Sequence, residues 1–289
     1  AANYAVKAAV GKNNTISLTG KAQLTGRISA GDNADSDTVI IESGSQLTGS
    51  LQGVEELELL INDAGSRKNA MWVIKEIWSD DRAVNISIDA SFGIIGDFKL
   101  ATKSKNIQWD ELYKNAVTCR TVFNGSEIST DLFQYSTYIK GNDLYFRSEI
   151  NRNADAAIFE DKITEQTTVT QKYAYFSSRA NVNTGDLFGI FVFDNDNTVA
   201  GFSSTYLALE NNIVVNSKDN TTAIGLVSDA DLYAAISPGK SIKVTAKAAG
   251  ASAYGIDSRG NLVMENFTAD ALCFKGIGNF FQGGEGAAV

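Results

Sequence analysis

The 289-residue chain contains no histidine, one proline and two cysteines. The absence of histidine excludes Ser/His and Cys/His nucleophile pairs and imidazole zinc sites, and it removes the usual general base near neutral pH. Chemistry based on paired Asp and Glu carboxyls remains open. Long apolar runs are also missing, because the run 57–61 is far shorter than the roughly 20 residues that span a bilayer. No membrane insertion is therefore expected.

The composition is acidic and apolar enough for a folded chain. A formal charge of −9 opposes binding to nucleic acid or to an anionic membrane, since phosphate binding depends on clustered Lys and Arg. A hydrophobic content of 44% is sufficient for a buried core. The sequence therefore predicts an ordered protein without a nucleic-acid partner.

The two cysteines and the N-terminus bear on the cellular compartment. Cys119 and Cys273 lie in short apolar runs, where a buried free thiol behaves as a small hydrophobe. Free buried thiols are the expectation, and a disulfide between them is the alternative. The opening residues, Ala1-Ala2-Asn3, include no initiator Met and no apolar signal core, which is typical of a processed secretory product or an excised fragment.

An internal repeat is the main positive feature. The Gln-Leu-Thr-Gly of 23–26 recurs at 46–49, an offset of 23, and the strand-like segment 15–18 aligns with 38–41 at the same offset. A unit of this length cannot bury its own apolar face and is stable only when stacked on a neighbour. The repeat predicts coils of a β-solenoid.

A second periodicity follows near the C-terminus. The segment 212–215 returns at 241–244 with an offset of 29, and 223–226 returns at 253–256 with an offset of 30. A further copy begins near 271. We therefore predict an all-β chain with right-handed β-solenoid (β-helix) coils at both ends. Its inward residues are expected to include Ile16, Leu18, Val39, Ile41, Ile242, Val244, Leu262 and Met264.

The middle of the chain lacks a clear repeat. Apolar residues alternate in 84–88, and Gly141-Asn142 is a dipeptide suited to a tight hairpin turn. A second hairpin is expected around 194–197. The predicted organisation is N-terminal β-solenoid coils over 1–65, an antiparallel β insert over 66–155, and a C-terminal β-hairpin with β-solenoid coils over 156–289.

The repeats resemble those of bacterial surface proteins with autotransporter-passenger-type β-helices. The similarity is carried by Ser-Ile-Lys-Val-Thr at 241–245, Ala-Tyr-Gly-Ile at 253–256 and Asp-Thr-Val-Ile-Ile-Glu-Ser-Gly at 37–44. It extends over roughly two-thirds of the chain and implies no secretion route. The resemblance implies an extracellular or cell-surface location, with adhesion or envelope structure as the usual roles.

The candidate metal ligands are oxygen-bearing side chains in two loops. Asp32, Asp35 and Asp37 are close in sequence, as are the Asp and Asn residues of 194–197, and oxygen side chains are what calcium prefers. Neither group has the spacing of an EF-hand or a nonapeptide calcium repeat. Solvated turns are the expectation, because Asp and Asn hydrogen-bond their own backbone; calcium is the alternative.

Aromatic and acidic residues are the remaining candidates for a site. The aromatic rings could form a core or a binding surface for sugars or proteins, and the core is favoured. The carboxylate pairs Asp80-Asp81 and Glu55-Glu56 are adjacent, so on a strand they would point to opposite faces, and exposed charge is expected. No catalytic, cofactor-binding or metal-ligating residue is assigned. The aromatic group comprises Trp72, Trp78, Trp109, Tyr113, Tyr135, Tyr138 and Tyr145.

These observations favour a non-enzymatic extracellular or cell-surface structural or adhesive protein, without a cofactor. The alternatives are a carbohydrate-active β-helix enzyme that uses carboxylates and a phage fibre or tailspike, which would require a trimer. Because terminal solenoid coils expose strand edges, the ends are expected to abut copies of the chain or further coils of a longer precursor. Surface glycans and host proteins are the other expected partners.

Overall fold

The computed structural model shows an all-β chain with two compact units, Ala1–Asn151 and Arg152–Val289. No helix in the described part is long and apolar enough to cross a membrane. The structure describes residues 4–8, 13–30, 37–62, 67–79, 81–114, 117–161, 167–177, 180–184, 191–193, 204–217, 223–228, 231–237, 240–246, 253–258, 261–265, 269–273 and 278–283.

Three sheets form the first unit. Sheet A has the order β1 (Tyr4–Lys7), β4 (Arg27–Ser29), β7 (Leu51–Gln52). Sheet B has the order β13 (Ser126–Glu127), β12 (Thr118–Phe123), β10 (Asn85–Ser91), β8 (Glu56–Ile61), β5 (Thr38–Glu42), β2 (Thr15–Leu18). Sheet C has the order β14 (Phe133–Lys140), β15 (Asp143–Ile150), β11 (Gly96–Lys103), β9 (Trp72–Ile74), β6 (Gln46–Thr48), β3 (Gln23–Thr25). The 3-10 helix Trp109–Glu111 lies between β11 and β12.

The strands of the first repeats pair in parallel at the offset that the sequence predicts. Thr15 lies beside Thr38 in sheet B, and Gln23 lies beside Gln46 in sheet C. From β2 to β9, consecutive strands lie in sheets B, C and A in turn. Equivalent positions of successive repeats therefore stack directly on one another.

Alternating side chains fill the interior between the three sheets. Val39 and Ile41 of β5 are fully buried, and Leu18 of β2 is buried beside them. Ile16 is half-buried and packs against the same core. The alternation follows from strand geometry, in which successive side chains point to opposite faces. These four predicted inward residues are confirmed as core or core-packing residues.

The middle segment differs from the predicted antiparallel insert. β10 pairs in parallel with β8 and β12, so strands on both sides of residue 65 share one sheet. Parallel addition extends the buried rows, because Ile86 and Ile88 lie directly beside Leu57 and Leu59. Within the described part of the chain, antiparallel pairing is limited to β12–β13, β11–β15 and β14–β15. The hairpin turn at Gly141, with φ of 62°, is as predicted.

Three further sheets form the second unit. Sheet D has the order β16 (Ala157–Phe159), β18 (Tyr173–Phe176), β21 (Ser204–Leu209), β24 (Asp231–Ile236), β27 (Leu262–Glu265). Sheet E has the order β17 (Thr167–Val169), β20 (Phe191–Phe193), β23 (Ala223–Ser228), β26 (Ala253–Ser258), β29 (Gly278–Gly283). Sheet F has the order β19 (Ala180–Thr184), β22 (Ile213–Ser217), β25 (Ile242–Ala246), β28 (Ala269–Cys273).

Every strand pair of the second unit in the described residues is parallel. Ile213 lies beside Ile242 and Leu232 beside Leu262, at the predicted offsets of 29 and 30. Ile242 and Leu262 are buried, and Met264 is partly buried against the same core. The side chain of Val244 lies outside the described residues.

The prediction of a second hairpin is wrong for its first strand, which the structure describes in part. The strand β20 has a parallel neighbour on each side, β17 and β23, so neither of its edges is left for an antiparallel partner. The expected turn at 194–197 and the strand after it, 198–202, lie outside the described residues.

Candidate functional site

The antiparallel strands carry an aromatic pair on their outward face. Tyr138 of β14 lies directly opposite Tyr145 of β15, and the rings are stacked with centroids 5.1 Å apart and planes at 10°. Their inward neighbours Leu144 and Phe146 are buried in the core, which fixes the orientation of the strand. The pair is therefore held on a rigid sheet.

Charged side chains flank both rings. Arg147 places its guanidinium 4.9 Å from the Tyr138 centroid and hydrogen-bonds both oxygens of Asp97 (2.6 and 3.1 Å). Lys99 places its Nζ 5.6 Å from the Tyr145 centroid, within cation–π range. Lys99 also pairs with Asp143 (2.8 Å). We call the surface formed by Asp97, Lys99, Tyr138, Asp143, Tyr145 and Arg147 the hairpin face.

The charges of the hairpin face are mutually paired. The hydrogen bond from Arg147 lowers the pKa of Asp97 below its usual value. For Asp143, partial burial raises the pKa, but hydrogen bonds from Lys99 and Thr102 outweigh it and the net direction is downward. Both carboxyls are therefore ionised near neutral pH and are poorly suited to act as general acids. The hairpin face can offer ring surface and ionic contacts rather than proton transfer.

A second aromatic group surrounds a buried guanidinium. Arg27 of β4 is only 5% exposed, and its Cζ lies 5.8 Å from the Tyr4 centroid and 5.6 Å from the Trp78 ring. Tyr4 and Trp78 are themselves 39% and 40% exposed. We call Tyr4, Arg27, Trp78 and Asp81 the aromatic clamp. Its exposed rings belong to residue types that dominate the binding energy of protein interfaces.

Asp81 corrects the prediction that the 80–81 carboxylates are exposed charges. Its side chain is 7% exposed and forms an ion pair with Arg27, in which Arg27 Nε donates to Oδ1 at 3.0 Å. The loop containing Trp78 and Asp81 covers the outward side of β4, which explains the burial of both charges. Asp80 lies outside the described residues.

The remaining predicted aromatic residues contribute to packing. Trp72 is buried and donates its indole N–H to the Gly49 carbonyl (3.0 Å). Trp109 and Tyr113 form an edge contact at 6.2 Å and pack partly buried against the core. Tyr135 is also half-buried; burial raises its pKa to about 12, and its hydroxyl hydrogen-bonds Thr121. The core interpretation therefore holds for these four residues.

A carboxyl pair that sequence reasoning missed lies on the outward side of sheet B. Asp89 of β10 binds Arg120 of β12 through both of its oxygens (2.5 and 2.8 Å). Glu58 of β8 lies beside this pair, with its Oε1 3.8 Å from Arg120 Nη2. Burial raises the pKa of Glu58, and the charges of Asp89 and Glu56 raise it further, while Arg120 opposes them. The parallel registers of β8, β10 and β12 could have revealed this group, because they place Asp89 directly beside Arg120.

We expect Glu58→Gln to stabilise the protein at neutral pH. A folded-state pKa above the unfolded value means that the stabilising contribution of Glu58 is complete below about pH 4.5 and is lost as pH rises through the folded pKa. The neutral amide should therefore raise the unfolding free energy at pH 7 and leave it almost unchanged at pH 4. Urea unfolding at both pH values measures this difference. The exposed Glu149→Gln is the control, and an equal gain in both variants would contradict the assignment.

The predicted calcium ligands are only partly described. Asp37 is buried, and its Oδ1 accepts a hydrogen bond from the Asn14 backbone N–H at 2.5 Å. Its own N–H donates to Glu55 Oε2 (2.9 Å), so Asp37 is a buried connection between distant chain segments and not the solvated turn residue that the sequence predicts. Asp32, Asp35 and the 194–197 loop lie outside the described residues. Among the described side chains, no group of three or more Asp, Glu or Cys could hold a metal ion.

Cys119 is a free thiol on β12. Burial raises its pKa to about 11, so the thiolate is scarce near neutral pH and the group is weakly nucleophilic. The side chain of Cys273 lies outside the described residues.

The described residues of the first unit thus offer two outward aromatic surfaces and one carboxyl pair. Comparison of the chain with family models, curated proteins and solved structures finds no match.

Proposed function

We propose that the chain is a non-enzymatic structural protein of the cell surface or extracellular space, built as a right-handed β-solenoid. The observation that carries the proposal is the parallel register. Thr15 pairs with Thr38, and Ile213 pairs with Ile242. The partners in each pair are one repeat length apart, and the same stacking recurs through both units. A stack of this kind gives stiffness and an extended surface rather than a deep reaction centre.

Hydrogen bonds between repeats support a stiffening role. The Ala22 N–H donates to Ser45 Oγ (3.0 Å), one repeat later in the chain. In the second unit, the Asn261 N–H donates to Asp231 Oδ1 at 2.8 Å across 30 positions. These bonds satisfy backbone groups at the corners, where no strand partner can do so. These two corners are thereby tied to the adjacent repeat.

Adhesion is the accompanying role that we assign to the outward aromatic surfaces. The hairpin face and the aromatic clamp both present rings that are fixed by neighbouring charges, so little side-chain entropy is lost when a partner docks. Surface glycans and host proteins are the partner classes that such rings suit. Further coils of a longer precursor or other copies of the chain are the structural partners.

The carboxyl pair is the feature that would favour the alternative of a carbohydrate-active enzyme. Its geometry argues against that function, because Glu58 and Asp89 lie on neighbouring strands of one sheet and both pair with the Arg120 guanidinium. Glycosidase carboxyls are separated by about 5 Å or more to admit the sugar or a water molecule. Asp89 is in addition occupied by both bonds from Arg120. A structural role for the pair explains these contacts more simply.

Two measurements test the proposed function. Antibodies against the purified chain should label intact cells of the organism that produces it, and brief external proteolysis should remove the signal. The purified chain should release no product from a panel of polysaccharides and peptides. Labelling that requires permeabilised cells, or turnover abolished by replacing Asp80, Asp81 or Glu58, would overturn the proposal.

A further inference from the structure

Three tyrosines form a row on the outward face of sheet D. Tyr173 of β18 lies directly beside Tyr206 of β21, which in turn lies beside Tyr233 of β24. The chain neighbours Leu207 and Ala234 are buried in the core of the second unit. Because successive side chains of a strand point to opposite faces, the tyrosine rings lie on the other side of the sheet. We call these three residues the tyrosine row.

The rings of the tyrosine row stack on one another. The Tyr206 and Tyr233 centroids are 4.7 Å apart with planes at 14°, and the Tyr173 and Tyr206 centroids are 5.4 Å apart with planes at 32°. The first distance matches the spacing of neighbouring strands, so the sheet itself holds the two rings together. Tyr206 and Tyr233 are therefore the closest and most nearly parallel pair of the row. Both are half-buried, whereas Tyr173 is buried.

The Tyr206 hydroxyl keeps its proton near neutral pH. Burial raises the pKa of Tyr206, and the neighbouring Tyr233 and Tyr173 raise it further. One-electron oxidation of a protonated phenol must therefore release a proton as well as an electron. Since Tyr206 and Tyr233 are only half-buried, water can take up the protons. The pair thus combines adjacent rings with a route for the protons to leave, which are the two requirements for coupling of tyrosyl radicals.

We propose that Tyr206 and Tyr233 form an oxidative cross-linking site, at which a peroxidase and hydrogen peroxide join the two rings as dityrosine. Each phenol loses one electron and one proton, and the two radicals form a bond between ring carbons adjacent to the hydroxyls. The hydrogens on those two carbons then move to the oxygens, which restores both phenols. The chain loses two hydrogen atoms in total, and one molecule of hydrogen peroxide becomes two molecules of water.

The cross-link would join successive repeats of one stack. Tyr206 and Tyr233 are register partners on adjacent strands, and 233 − 206 = 27 positions separate them in the chain. A covalent link of this span restricts the unfolded chain, as a disulfide does, and so stabilises the folded one. The site needs only the strand register within the second unit, so it does not depend on the location or the adhesive role proposed above.

Oxidation of the purified chain with a haem peroxidase and limiting hydrogen peroxide tests the proposal. The intact mass should fall by two hydrogen atoms, and the product should migrate as a single chain on a denaturing gel. Cleavage after Lys and Arg separates the rings, because Tyr206 is the only tyrosine of 180–218 and Tyr233 is the only tyrosine of 219–240. The expected product is these two peptides joined to each other, with the fluorescence of dityrosine.

Phenylalanine variants separate the coupling from the packing. Tyr206→Phe keeps a stacked ring but cannot form a phenoxyl radical, so the joined peptides should be lost, and Tyr233→Phe should have the same effect. Tyr254→Phe is the matched control in the same unit. Tyr254 is also half-buried, but its register partners are Ile224 and Asn279 rather than tyrosines. This variant should yield as much of the joined peptides as the unmodified chain.

Three results would overturn the proposal. An unchanged intact mass would show that the rings of the folded chain do not couple. Joined peptides other than 180–218 with 219–240, formed in place of that pair, would assign the cross-link to a different site. Joined peptides that persist in Tyr206→Phe, or that decrease equally in Tyr254→Phe, would show that the stacked pair does not determine where the bond forms.

Discussion

Replacing Gly49 with alanine is expected to lower the unfolding free energy of the first unit by at least ~2 kcal/mol. A Cβ at Gly49 would overlap the carbonyl oxygen of Gly26, the equivalent glycine one repeat earlier. Neither backbone can withdraw easily, because the Gly26 N–H donates to Thr48 and the Gly49 N–H donates to Val73, each at 2.9 Å. The two glycines of the repeated Gln-Leu-Thr-Gly therefore lie where the backbones of two stacked repeats approach each other closely.

Gly20→Ala is the control for Gly49→Ala. Gly20 has a φ of +61°, but a Cβ there would meet no atom within 4 Å. Its cost should be the left-handed backbone penalty alone, about 1 kcal/mol. Denaturant unfolding monitored by tryptophan fluorescence compares the two variants. Equal destabilisation would show that backbone conformation, rather than contact between repeats, causes the effect of Gly49→Ala.

The sequence was sufficient to predict the pairing wherever the repeat length is regular. The offset of 23 aligned β2 with β5 and β3 with β6, and the offsets of 29 and 30 aligned strands of the second unit. These predictions succeeded because stacking requires like side chains at equivalent inward positions. Periodicity in the sequence is a direct consequence of that requirement.

The middle of the first unit was misread because its repeat lengths vary. Thr38 pairs with Glu56, Glu56 with Asn85, and Ser87 with Thr118, so successive offsets in sheet B are 18, 29 and 31. Loops of different length between the same strands hide the repeat, while the inward rows continue unchanged. The alternating apolar residues of 84–88 fit either pairing direction, and only the three-dimensional register distinguishes them.

The candidate site was harder to predict than the fold. Arg27 and Asp81 are 54 positions apart, and no local pattern connects them. Their ion pair depends on the path of the loop around Trp78 over sheet A. The composition of the loop does not predict that path. Tyr138 and Tyr145 could be paired from the sequence, since the Gly141-Asn142 turn determines the hairpin register.

Replacing Asp81 with asparagine is expected to cost about 3 kcal/mol of unfolding free energy. The amide side chain would be a close steric match for the carboxylate, but it would remove the ion pair that Asp81 forms with the 5%-exposed Arg27. Asp97→Asn removes a similar bidentate partner from the solvent-exposed Arg147 and should barely move the unfolding midpoint. Denaturant unfolding at neutral pH measures both variants.

The double variant Arg27→Met with Asp81→Asn separates the loss of a contact from the burial of a guanidinium that has lost the Asp81 carboxylate. If the buried charge causes the damage, removing the guanidinium should recover part of the stability lost in Asp81→Asn alone, because the methionine stem can still pack between Tyr4 and Trp78. A double variant less stable than Asp81→Asn would mean that Arg27 stabilises the clamp mainly through its ring contacts. Equal effects of Asp81→Asn and Asp97→Asn would contradict the burial of the pair.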